Sequence, residues 1–245
     1  MRFKIGAVVA AVAVLSFTAM GSAAAQPLGP AKQHKSARPP QITGVQLQQA
    51  MLPPSAFGAG FTFSEALNSG AKLQSSRAKN HVPSMSCGAF EGRVYISAFG
   101  DTAGADERYS NPAAASAYPN TIFLGDEYVL QFATAATAAT FYSQARAKYA
   151  ACQSLTEPFF GNFTASVDTL SVAKTTVGGN QAFLVTQHVS VPGFFQKPLY
   201  LLYLYVVAGT NVYGLSDVSG TNDEPSPALM KDLIHRVQAL YPHRK

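Results

Sequence analysis

Charge is what this sequence has least of: 13% of its 245 positions are Asp, Glu, Lys or Arg, about half the usual share. It has no Trp, two Cys and five His. No apolar run reaches the roughly 20 residues that a membrane-crossing helix needs; the longest, Ile5 to Met20, is about 16. The nucleophile elbow G-x-S-x-G, the phosphate loop G-x-x-x-x-G-K and the dinucleotide loop G-x-G-x-x-G are absent, and Gly58-Ala59-Gly60 is too short a match to count. No two histidines have zinc-ligand spacing, so no metal and no cofactor is expected. A hydrophobic share of 47% rules out a disordered chain, and the length is ample for one core.

The formal charge of +5 misleads about partners. Arg2, Lys4, Lys32, Lys35 and Arg38 precede the first acid, and beyond them basic and acidic residues are equal at thirteen each. Phosphate neutralisation needs clustered positive charge, so the composition argues against nucleic acid as a partner. Residues 1–25 have the form of a cleavable signal peptide: Arg2 and Lys4, an apolar stretch, then Ala23-Ala24-Ala25. Residues 26–42, rich in Pro, Gly and basic side chains, are expected to be a flexible tether, and 43–245 one domain. The expectation is a secreted protein with no transmembrane segment once mature. An oxidising compartment favours joining Cys87 to Cys152, closing a loop whose chain entropy is worth roughly 4 kcal/mol. Two free thiols, one of them reactive, are the alternative.

Thr43 can cap a short helix stopped by Pro53-Pro54. Residues 55–92 are Gly- and Ser-rich and are expected to be mostly loop, and 100–120 a long polar excursion. Alternation predicts a strand over 121–132, interrupted by Asp126, and spacings of three and four predict a helix over 134–152 bearing Phe141, Ala145 and Tyr149. Strands follow at 166–174, 181–191, 198–208 and 211–219, joined by short Gly-containing turns. The third is apolar on both faces, as for a strand covered twice. Ser226-Pro227 opens a last helix with Leu229, Met230, Leu233, Val237 and Leu240 on one stripe. The fold class is α+β: an antiparallel meander packed against an Ala-rich central helix and a C-terminal amphipathic helix.

Chemistry is sparse. His34 and His243 lie in the chain ends, His235 faces away from its helix's apolar stripe, and His188 shares a strand face with Thr186 and Ser190. Asp126, Glu127 and Asp217 are the acids a secreted wall hydrolase would use; a bulge or a sheet edge is the plainer account of them. Two loops carry doubled phenylalanines, Phe159-Phe160 and Phe194-Phe195. They either plug the ends of the core or rim an apolar groove for a lipid-like or aromatic ligand. On the second reading Phe159, Phe160, Phe194, Phe195, His188 and Tyr203 form the ligand site, with no catalytic residue. A third reading is an interaction protein whose Phe194 and Phe195 dock a protein partner or the cell wall itself.

The early helix ending in Leu52-Pro53-Pro54, the Ser84-Met85-Ser86-Cys87-Gly88 context, the strand with Tyr128 and Phe132, the helix from Phe141 to Cys152, the meander and the final helix together resemble the PknH-like extracellular sensor domains of actinobacteria over roughly residues 43–241. Those domains occur outside the membrane on receptor serine/threonine kinases and as stand-alone secreted proteins. The resemblance implies an α+β fold with a ligand cleft and no known catalysis, and makes Cys87–Cys152 the match of one of that sensor's bridges. Its second bridge has no counterpart here. The implied function is a secreted, non-enzymatic, sensor-like module of the cell envelope that binds a small or lipid-like ligand.

Overall fold

A computed structural model describes residues 42–68, 82, 86–87, 100–113, 122–158, 162–222 and 225–241. The expected leader, most of the tether, His34, His81, Phe159, Phe160 and His243 lie outside the described residues.

Among the described residues, three helices form where side chains can satisfy their first amide groups. Thr43 accepts from Gln46 N while the Gln46 side chain accepts from Thr43 N, a reciprocal cap that starts α1, Gly44–Gln49. Thr134 caps α2, Ala135–Ala151, by accepting from Thr137 N at 3.1 Å. Ser226 caps α3, Pro227–Gln238, whose first residue is the proline best tolerated there. A 3-10 turn, Pro54–Phe57, follows α1.

The strands are β1 Thr62–Asn68, β2 Ala103–Ser110, β3 Ile122–Gln131, β4 Ser154–Pro158, β5 Thr164–Val177, β6 Asn180–Ser190, β7 Leu199–Ala208 and β8 Asn211–Ser219. They make one eight-stranded sheet in the order β1-β2-β3-β8-β7-β6-β5-β4, every pair antiparallel. Gly178 and Gly179, at φ +57° and +80°, make the two-residue β5–β6 turn that demands positive φ twice. The α+β class is therefore the observed one, and the meander and both long helices lie within a few residues of their expected limits.

Helices cover both faces. Phe141, Ala145 and Tyr149 of α2 pack with Tyr128, Leu130, Phe183, Val185 and Tyr205, and Val212 joins them. On the opposite face Leu47 of α1 and Met230, Leu233, Ile234 and Val237 of α3 pack with Val129, Leu204, Val206, Tyr213 and Leu215. Alternate residues of β7 thus enter different cores, which explains why that strand is apolar throughout.

Two segments expected to be loop are strands. Residues 62–68 form β1, and 103–110 form β2, the second strand of the sheet, paired along its whole length with β3. Asp106-Glu107-Arg108 carries little intrinsic strand preference, so the pairing is supplied by neighbours, as Ala103, Ala105 and Tyr109 are buried. The short edge strand β4 was likewise not expected from the sequence.

Candidate functional site

On one sheet face, among the described residues, α1 packs over β1 and β2, and α3 packs over β5 and β8 toward the β5–β6 turn. Beyond them, on that same face, the registers align one cross-strand row: Ser154, Asp168, His188, Tyr200 and Ser219 on β4, β5, β6, β7 and β8. Asp168, His188 and Tyr200 are half-buried, Ser154 is exposed and Ser219 is buried. The His188 and Tyr200 rings lie 5.6 Å apart between centroids. Period-2 alternation places Thr186 and Ser190 on the same face as His188, as expected, with Ser166 opposite Ser190. The result is a surface holding an imidazole, a carboxylate, a phenol and several hydroxyls side by side. It can donate and accept hydrogen bonds while offering aromatic faces for contact.

An aromatic rim adjoins the row where β5 begins and β6 ends. Phe194 N and Phe195 N both donate to Val191 O, at 3.0 and 3.1 Å, which winds the connection from β6 to β7 into a tight turn. Gly193 has φ +80°, and a Cβ there would come within 3.4 Å of the Phe163 ring. Phe194 packs edge-on against Phe163 at 5.2 Å and against Phe195 at 4.9 Å, all three half-buried. Tyr203, in contrast, lies on the other face, beside Tyr149 at 5.8 Å and Tyr205 at 6.2 Å, against α2. A ligand lying on the His188 face does not reach Tyr203. Fixing which face each residue takes requires the β6–β7 register, which the sequence does not display. Asp168 and Tyr200 join the row for the same reason; the signal available was the parity of Asp168 with Ser166.

Of the acids weighed as hydrolytic, Asp126 and Glu127 sit away from the row, whereas Asp217 shares its face two residues from Ser219, and all three are buried. Asp126 and Glu127 are in the third strand of eight, away from the β3 bulge between Ile122 and Leu124, so neither an edge nor a bulge accounts for them. As sequence neighbours in a strand they project to opposite faces and do not converge on one cleft. Asp217 lies within β8 rather than at its end and is buried.

Glu127 instead belongs to a buried lock. The Leu52 amide donates to its Oε1 at 2.7 Å, and Tyr109 Oη lies 3.0 Å from that same oxygen, 2.6 Å from Leu52 O and in contact with Glu107 Oε2. A phenol has one proton and meets three acceptors here, so a carboxyl must hold another. Burial pushes Glu127 up to about 8, against the hydrogen bonds from Tyr109 and Leu52 that favour its anion. Burial also pushes Tyr109 up. On the opposite face Asp106 is raised by burial and then by Asp126 beside it, with Arg108, 3.1 Å from Glu65 and 3.9 Å from Asp126, pulling the other way.

Cys87 and Cys152 are joined, with Cα atoms 5.5 Å apart, tying the residue after α2 to a segment 65 positions earlier. Among the described residues no group of three or more His, Cys, Asp or Glu could hold a metal ion, and no helix is long and apolar enough to cross a membrane.

No family model matches the chain, and no curated protein matches its sequence. Its fold is similar to the crystal structure of the extracellular domain of PknH from Mycobacterium tuberculosis, with a TM-score of 0.56 over 81% of this chain and 97% of that one, at 13% identity. The likeness is one of fold.

Proposed function

We propose that this chain is an exported, non-enzymatic binding module of the sensor type, acting outside the cytoplasmic membrane. A small or lipid-like envelope component lies with its polar part on the Asp168–His188–Tyr200 row and its apolar part against Phe194 and Phe195. The observation that carries this reading is the polar row itself: five aligned positions on one face, three of them half-buried, beside three clustered phenylalanines. A face meant only to meet a helix would be apolar, as it is further along the same strands. The disulfide and the fold shared with the extracellular domain of PknH fit an extracellular location.

The test is thermal unfolding with and without lipids extracted from the envelope of the source cell. A ligand that binds the native state must raise the melting temperature, by an amount that grows with concentration. The rise should vanish in His188→Ala/Tyr200→Ala and persist in Tyr203→Phe. No rise with any lipid fraction, or an equal rise in the double variant, would contradict the proposal.

A further inference from the structure

A second surface lies at the opposite end of β5. The outer strand β4 pairs only with residues 164–168 of β5, and its coverage ends where Thr169 N donates to Gln153 O at 2.9 Å. A bulge between Thr169 and Ser171 follows. From Leu170 to Val177 no strand among the described residues pairs with the outer side of β5. Six of these eight residues are exposed, Leu170 at 57%, and only Val172 and Val177 reach the two cores.

The β5–β6 turn fixes which backbone groups point outward. In a two-residue hairpin the flanking pair, Val177 and Asn180, exchanges both hydrogen bonds, and alternation then assigns the inward bonds to 175, 173 and 171. The N–H and C=O groups of Val172, Lys174 and Thr176 therefore face away from the sheet. Three successive donor–acceptor sets at a flat edge are a template for an added strand.

Charge identifies what is added. From Thr169 to Ser190 there is no acid, and Lys174 is exposed on the edge itself. The groove where the turn meets α3 is lined by Gly178, Asn180, Lys231 and His235, which extends the positive end of the edge. Neither Lys174 nor Lys231 has an ion pair among the described residues. A second copy of this chain would bring lysines against lysines, and the basic stretch holding Lys32, Lys35 and Arg38 has the same sign as the edge. We propose that the open edge of β5, Leu170–Val177, is a strand-addition site for an acidic extended segment of another protein.

This inference is independent of the ligand reading, because it uses neither the polar row nor the aromatic rim. It is tested with two capped synthetic peptides, ETVEVTE and KTVKVTK, titrated into the isotope-labelled full chain and followed by amide NMR. The acidic peptide should bind at least tenfold more tightly than the basic one, and slow the hydrogen exchange of Val172, Lys174 and Thr176. Thr176→Pro removes one outward N–H while keeping the β6 ladder, and should abolish binding with the fold intact. Lys174→Glu, which needs no backbone change, should weaken the acidic peptide at least tenfold. Equal affinity for the two peptides, binding that survives both substitutions, perturbed amides away from β5, or a β5-mediated dimer in sedimentation would each overturn it.

Discussion

Replacing Glu127 with Gln should change how stability depends on pH. Glu127 is fully buried, accepts from the Leu52 amide and shares Tyr109 with Glu107. Its carboxyl is raised from 4.5 to about 8, chiefly by burial, and each tenfold in proton affinity is worth about 1.4 kcal/mol. Below pH 4.5 both folded and unfolded states hold the proton and the native state is at full strength. Between pH 4.5 and 8 the unfolded chain releases the proton and the folded one keeps it, so stability falls as pH rises; above 8 the loss levels off. The total is on the order of 5 kcal/mol at most, a large part of an ordinary domain's stability. Gln mimics the protonated carboxyl and keeps the acceptor for Leu52. Denaturant unfolding from pH 5 to 9, with the disulfide intact, should show the native protein weakening more steeply than Glu127→Gln, which keeps only the decline due to other buried acids such as Asp106. The two curves should cross, with the variant the more stable at pH 9. Parallel curves would refute the protonated lock and the proton count at Tyr109 behind it.

Other substitutions test the staple and the core beneath α2. Cys87→Ser/Cys152→Ser should cost roughly 4 kcal/mol, the entropy of the loop it closes, read as a lower denaturant midpoint. Gly214→Ala places a Cβ 2.2 Å from the Tyr128 ring and should destabilise by about 1–3 kcal/mol in calorimetry, whereas Tyr128→Leu in the same background should recover part of that loss. Tyr149→Phe removes a buried hydroxyl pair, 2.6 Å to Tyr205, and should cost about 1 kcal/mol without altering far-ultraviolet dichroism.

The half of the fold from β5 to β8 was readable because local signals agree there. Gly178-Gly179 and Gly209-Thr210 punctuate runs rich in Val, Leu, Tyr and Phe, and each run pairs with its neighbour in sequence. In the other half β3 was readable by alternation, but β1, β2 and β4 were hidden because they are defined by distant or weakly patterned partners. β2 carries Asp106-Glu107-Arg108, a poor strand sequence that is stable only between β1 and β3. The same distinction applies to the site. His188 and its companions Thr186 and Ser190 follow from alternation within one strand. Joining His188 to Asp168 and Tyr200, and parting it from Tyr203, depends on registers between strands. The acids at 126 and 127 broke the apolar pattern visibly, but only the tertiary structure reveals a proton-sharing lock beneath α1.

The strand order also dictates how the chain can assemble. β4 to β8 form a run of neighbours, each closing a short loop, whereas β3 joins β8 across a separation that begins at 80 residues, Gln131 to Asn211, and widens to 97 at Ile122 to Ser219. Closing short loops costs little entropy and closing long ones costs more, so the β5–β8 meander should form early and the β3–β8 seam late. Amides of β6 and β7 should then exchange only through global opening, and those of β1 and β2 through a cheaper opening of the seam. The Cys87–Cys152 bridge spans residues on both sides of β3, which places the covalent restraint across the slowest step of assembly.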